Sequence, residues 1–278
     1  MSLGGVGKET VQIVQCGAYD VPSGPRVSIA DAVARAVRGT RLYTPAELEL
    51  LAPRPLEAPP DPPRVEVSAE TTGAAARRLV EREGEARVVA LNFASAKNPG
   101  GGFLRGARAQ EEDLARCSAL YESLVTQRAY YDENRACGSM LYTDHIIYSP
   151  DVPFFRDERL ELLAAPFLVS IITAPAPNAG EELARNSGAR GQIRAALERR
   201  ADFVLRVAAS EQHRTLVLGA WGCGVFRNDP TDVADVFASL LGSPRFQGAF
   251  RRVVFAVYDR SEQGVNRRPF ERRFGGGR

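Results

Sequence analysis

The chain is expected to fold as an α/β protein, with a mixed and mostly parallel sheet flanked by helices. Three observations carry that expectation. From residue 64 onward, short apolar runs alternate with longer amphipathic segments, the pattern of strands and helices packed in layers. Residues 87–93 (RVVALNF) are dominated by apolar side chains, as befits a strand covered on both faces. Loops rich in glycine and charge follow several of these runs, at the strand ends where open sheets of this kind bind ligands.

Residues 1–52 read as mostly helical. An apolar-rich segment from Glu9 to Cys16 is stopped by Gly17. Ser28 stands at the N-cap of an amphipathic helix that continues Ile29-Ala30-Asp31. Thr44-Pro45-Ala46-Glu47 repeats the signal, with a capping threonine, a proline in the first turn and a glutamate three residues after the cap. Six prolines between Pro53 and Pro63 make a stiff, extended connector. Beyond it come a strand at 64–68, a helix capped by Thr71 or Thr72 and ending near Gly84, the 87–93 strand, and one helix over about 110–130. Further strands are expected at 145–148, 167–173, 215–218 and 252–257, with helices at 186–208 and 231–241. The chain thus divides into a helical N-terminal extension (1–52), the connector (53–63), the α/β domain (64–262) and a basic tail (263–278). That tail carries Arg267, Arg268, Arg272, Arg273 and Arg278 and reads as a frayed, solubilising end.

With 278 residues, 44% hydrophobic and 25% charged, the chain has the composition of an ordinary globular protein. No stretch approaches the ~18 apolar residues of a membrane span, since Pro166 and Pro175 break the most apolar region. The N-terminus lacks the basic start and long apolar core of a signal peptide, so a cytoplasmic location is expected. A net charge of +2 lacks the basic excess of a direct DNA binder. Cys16, Cys117, Cys137 and Cys223 form no CxxC pair, and His145 and His213 lie at strand starts without ligand spacing. No metal, cofactor or disulfide is therefore expected.

Two loops carry the chemistry. Gly100-Gly101-Gly102, seven residues and then Gln110-Glu111-Glu112 place bare backbone N–H groups and a carboxylate pair at the start of a helix. Such a turn suits a phosphate or ribose, and the helix N-terminus adds a partial positive field. The second loop, 219–230 (GAWGCGVFRNDP), follows a short apolar strand. Gly219, Gly222 and Gly224 there allow close approach to a diphosphate, while Trp221 and Phe226 either clamp a ribose or base or simply pack over the loop. The lysine of a P-loop is missing, which argues against that type of ATP hydrolysis. The loops at 149–157 and 174–178 also follow apolar runs and join the expected binding end. Arg156 and Arg227 either meet phosphates or serve in surface ion pairs.

Taken in order, NFASAKNPGGG (92–102), the QEE after it, YSPDVPFFRD (148–157), ITAPAPN (172–178) and GAWGCGVFRNDP (219–230) resemble the motifs of poly(ADP-ribose) glycohydrolases. These are macrodomain proteins, and the likeness is to their compact bacterial branch. It spans most of residues 64–260, and the residues before the glycine triplet resemble that branch's helical N-terminal extension. The resemblance implies a macrodomain-like fold, Glu112 as the catalytic acid/base, and Glu111 holding the hydroxyls of the scissile ribose. It implies that Gly100, Gly101 and Gly102 approach the distal ribose and phosphates, with Asn98 beside that ribose and Gln110 among the binding residues. Gly222, Cys223, Gly224, Val225 and Phe226 would hold the diphosphate, with Phe226 against a ribose. Glu70, Thr71 and Tyr258 are candidates for the adenine. The implied partner is poly(ADP-ribose) or ADP-ribose, cleaved from chain ends by a cofactor-free monomer of the DNA damage response.

Residue chemistry refines this expectation. Glycosidases usually set two carboxylates at least ~5 Å apart on opposite sides of a sugar, which neighbouring glutamates do not naturally do. On a helix Glu111 aligns with the apolar stripe Leu114, Cys117, Tyr121 and Leu124, whereas Glu112 is turned about 100° away. A single proton shuttle at Glu112 is therefore expected, with the substrate's own diphosphate stabilising the cation. Two other readings use the same pocket: a non-catalytic ADP-ribose-binding macrodomain, and a hydrolase of other ADP-ribose derivatives.

Overall fold

The computed structural model describes residues 1–22, 24–52, 62–259 and 261–275. The connector expected at 53–63 falls, for 53–61, outside the described residues. Helices α1 (Leu3–Cys16), α2 (Ala30–Gly39) and α3 (Pro45–Leu50) and short strands β1 (Ala18–Asp20), β2 (Arg26–Ser28) and β3 (Arg41–Tyr43) come first. Strand β4 (Arg64–Ser68), helix α4 (Thr72–Arg77) with a π-helical turn behind it, and β5 (Val88–Phe93) follow. Next are α5 (Gln110–Cys117), α6 (Leu120–Val125), α7 (Arg128–Ala136), β6 (Ile146–Arg156) and β7 (Leu162–Ala174). The chain ends with α8 (Ala179–Arg185), α9 (Arg190–Ser210), β8 (Thr215–Leu218), α10 (Pro230–Leu241), β9 (Arg252–Ala256) and α11 (Arg267–Phe274).

A seven-stranded sheet in the order β3-β6-β7-β5-β8-β9-β4 forms the centre. Its five strands from β7 to β4 are mutually parallel; β6 runs antiparallel to β7 and β3. Alternation within each strand feeds two cores. Val89, Leu91, Val253 and Phe255 join one with Phe203, Trp221, Phe237 and Phe270. Val88, Ala90, Val254 and Ala256 join the other with Leu79, Leu114, Leu120 and Leu124. Helices therefore cover both faces, as the apolar pattern of β5 implies.

Several expectations need correction. Segment 1–52 is not simply helical: β1 and β2 pair antiparallel, and β3 joins the main sheet against β6. Ser28 ends β2, so α2 starts from Ile29 without a side-chain cap; the capping box at Thr44 and Glu47 forms as expected. The single helix over 110–130 is broken in three. Ser118 turns extended, bridges to Phe154 and returns its hydroxyl to the Leu114 carbonyl, and Ala119 N–H donates to Pro153. Nor is 149–157 a strand-end loop. It continues β6 through register shifts near Ser149 and Phe154, and Pro153 is tolerated because β3 pairs only with 146–148. As β6 is antiparallel, its far end points away from the binding end. The tail is not frayed over 267–274: Phe270 is fully buried and Phe274 stacks on Phe255 at 4.4 Å.

Candidate active site

Strands β5, β7, β8, β9 and β4 all end at the same side of the sheet, so the loops after them converge. Register places Phe93 opposite Ala174, and a Cβ on Gly219 would stand 2.9 Å from the Phe93 ring. The two glycine loops are neighbours.

Gln110 sets where α5 begins. Its Oε1 accepts from Phe93 N–H (2.8 Å), and its Nε2 donates to the Leu91 carbonyl (2.8 Å) and Thr72 Oγ1 (3.1 Å). Both ends of the amide are thus engaged by protein groups, so a direct hold on substrate is not what this residue is arranged for. The next residue, Glu111, turns inward and is 3% exposed. It accepts from Ser95 N–H at 2.7 Å and Asn92 Nδ2 at 3.2 Å. Burial pushes its carboxyl up to about 8; the hydrogen bonds from Ser95 and Asn92 pull the other way, and the charge of Glu112 adds to the rise. Behind it, the hydroxyls of Tyr130 and Tyr131 and Asn92 Oδ1 are buried without a hydrogen-bond partner among the described residues.

Glu112, half-buried, turns toward the glycine triplet and accepts from Gly102 N–H at 2.9 Å. The triplet is wound into successive tight turns, Gly101 N–H to Asn98, Phe103 N–H to Gly100 and Arg105 N–H to Gly102. Gly100 and Gly101 have positive φ, and a Cβ on Gly101 would stand 2.3 Å from Glu112 Oε1. Glycine is required there by both backbone and space. Asn98 is exposed at the rim, its N–H held by Ser95 Oγ.

In the second loop Gly222 has positive φ and would meet Ala176 at 2.4 Å if it carried a Cβ. Asn228 fastens the turn, donating to the Pro177 and Gly222 carbonyls. Cys223 is partly covered, and burial pushes its thiol well up. Gly224 and Val225 are exposed, and the half-buried Phe226 ring meets Tyr142 at 5.8 Å. Trp221, by contrast, is fully buried and donates to the Ala174 carbonyl; it packs the core and clamps nothing. Arg156 is likewise taken by Glu9 and the Leu160 carbonyl.

Of the adenine candidates, Thr71 caps α4 and Glu70 is held by Arg78 at 2.7 Å, which keeps its carboxyl below the usual range. Tyr258 is exposed just after β9, at the same end as Glu70 and Thr71. Sequence reasoning missed Asn92, Ser95 and Asn228, although each lies inside a motif quoted above. It also missed Arg200, fully buried in α9, which donates to the carbonyls of Pro175, Leu141 and Tyr142 and so braces the Phe226 wall. Nothing in the arginine-rich helix pattern distinguishes Arg200 from its solvated neighbours.

Fold and site together define a macrodomain-like α/β protein with two glycine turns and a carboxylate pair at one sheet end. Residues 7–157 match the family model of the microbial-type PARG catalytic domain, PARG being poly(ADP-ribose) glycohydrolase. The chain belongs to this family. It is similar to the crystal structure of the glycohydrolase from Thermomonospora curvata, with 48% identity over 98% of this chain and 99% of that one and a TM-score of 0.93. The same enzyme bound to the inhibitor ADP-HPD matches at 49% identity over the same shares, with a TM-score of 0.90. The Deinococcus radiodurans glycohydrolase in complex with ADP-ribose is 50% identical over 87% of this chain and 96% of that one, with a TM-score of 0.80. No curated protein matches the chain.

Proposed function

We propose that this chain is a poly(ADP-ribose) glycohydrolase that hydrolyses ribose–ribose O-glycosidic bonds from chain ends and releases ADP-ribose, with Glu112 as general acid and then base. The observation that carries the assignment is the division of the carboxylate pair: Glu111 is buried, whereas Glu112 reaches the glycine triplet from the first turn of α5. Family membership supports the reaction class. In the proposed cycle the terminal diphosphate lies across the turns at 100–102 and 222–226, with Phe226 against a ribose and Asn98 at the distal ribose. Glu111 holds the hydroxyls of the ribose being cleaved. Glu112 delivers a proton to the outgoing oxygen as the bond from the anomeric carbon breaks. The resulting oxocarbenium-like carbon is stabilised by the substrate's own diphosphate. Water then attacks that carbon and returns a proton to Glu112. Tyr258, with Glu70 and Thr71 beside it, is the proposed adenine end. The enzyme is proposed to act as a cytoplasmic monomer, without cofactor or DNA contact.

Glu112→Gln tests the assignment. ADP-ribose release from polymer should fall by roughly 10²–10⁴-fold, the usual share of a general acid/base, while calorimetric affinity for ADP-ribose stays within about tenfold. Equal losses in both would remove Glu112 from the catalytic role. A variant as active as the parent would do the same.

A further inference from the structure

The two glycine turns account for one diphosphate, yet a polymer presents another in the unit next to the one released. We propose that Lys97, Arg105 and Arg108 form a second anion-binding subsite on the outer rim of the glycine loop, which takes the diphosphate of that adjoining unit. The proposal rests on the glycohydrolase reading with Glu112 at the scissile bond.

The placement follows from the loop. The departing chain begins at the oxygen that Glu112 protonates, and Glu112 is held by Gly102 N–H. The backbone then folds tightly over Gly102, whose carbonyl accepts from both Arg105 N–H (2.9 Å) and Ala107 N–H (3.2 Å). Arg105 and Arg108 therefore sit beside the residue that anchors the acid, and Lys97 flanks the triplet on its other side, directly before the Asn98 turn. All three are exposed and take part in no ion pair among the described residues. Elsewhere in the chain Arg78, Arg156, Arg200 and Arg252 are each held by carboxylates.

The loop that carries these cations is also braced. Phe103 is buried, and its ring packs on Tyr121 at 5.1 Å. Helix α1 lies directly behind: a Cβ on Gly7 would stand 2.8 Å from the Phe103 carbonyl oxygen, and one on Gly4 would stand 3.0 Å from that of Leu104. Unpaired charges on a rigid rim beside a polyanion's exit point attract phosphate without first giving up a partner.

Two substrates separate the subsite from the catalytic pocket. One is long poly(ADP-ribose); the other is an ADP-ribosyl aryl glycoside, which has the same scissile carbon but no phosphate beyond it. The triple variant Lys97→Ala, Arg105→Ala, Arg108→Ala should raise KM for polymer roughly tenfold, and the slope of log(kcat/KM) against log[salt] should weaken by about 1.4, at ~0.7 for each of the two phosphates. Cleavage of the aryl glycoside should stay within twofold of the parent. The charge-keeping variant Lys97→Arg, Arg105→Lys, Arg108→Lys should recover the polymer KM. An unchanged polymer KM overturns the proposal. So does a parallel loss on both substrates, which would place the three cations in the pocket or the fold. If the parent cleaves neither substrate, the glycohydrolase reading itself fails and the subsite falls with it.

Discussion

At Gly101 the chain has no freedom to carry a side chain. Its positive φ costs a non-glycine residue about 1–2 kcal/mol, and the added Cβ would displace Glu112 Oε1, 2.3 Å away. Gly101→Ala should therefore lower kcat/KM by at least roughly tenfold, since even a 1 Å misplacement of the proposed acid is expensive. Gly191→Ala, where a Cβ meets nothing within 4 Å, should leave activity unchanged in the same assay. Glu111 yields a prediction about pH. Its carboxyl is pushed up to about 8 by burial, against about 4.3 in an unfolded chain. Between those values the folded state holds a proton that the unfolded state has lost, so this group makes stability fall as pH rises. The groups that bear on it are Glu112 on the same helix and Tyr130 and Tyr131 on α7. Glu111→Gln should flatten the decline in Tm between pH 5 and 8 and make the variant relatively more stable at pH 8. Parent and variant Tm curves that run parallel across that window would show that Glu111 is ionised when buried.

Helix α5 owes its position to one side chain. Gln110 joins the end of β5 to α4 through three hydrogen bonds. Gln110→Ala leaves Phe93 N–H and the Leu91 carbonyl without those partners, at about 1–3 kcal/mol for each group left unsatisfied. The expected result is a lower Tm and a lower kcat, with ADP-ribose affinity nearly unchanged; a selective loss of affinity at unchanged Tm would make Gln110 a substrate contact after all. The start of α5 was legible because Gln110-Glu111-Glu112 opens a helix in an ordered motif. Its end was not, because Ser118 leaves the helix to bridge to Phe154, a contact 36 positions away that no local pattern reveals. The full length of strand β6 is hidden for a related reason: Pro150 and Pro153 look like breakers until the bulge and the limited reach of β3 are seen. In the tail, five arginines mask the two phenylalanines that pin α11. By contrast β4, β5, β8 and β9 are short apolar runs whose pattern alone fixes them, and the two glycine loops could be placed at one end as soon as those strands were taken as parallel.

Across the whole molecule, the direction of the strands decides which end can react. One recess, of about 520 Å³, is lined by Val80, Glu85, Arg87, Asp151, Pro166 and Leu168. Arg87 immediately precedes β5 and Asp151 lies in the β6 bulge, so this recess is at the opposite end of the sheet from Glu112. The carboxylate pair and both glycine turns lie elsewhere, at the strand ends where open sheets of this kind bind ligands. Hydrogen exchange distinguishes the two ends. Bound ADP-ribose at 100 times its Kd stabilises the competent state by ~2.7 kcal/mol, about a hundredfold in exchange for amides that open with the site. Slowing should concentrate in 95–112 and 219–228, the segments that carry the two glycine loops of the proposed site, and 79–87 and 150–168 should exchange as in the free protein. Protection confined to the second pair of segments would put the nucleotide in that recess and leave Glu112 with no substrate to protonate.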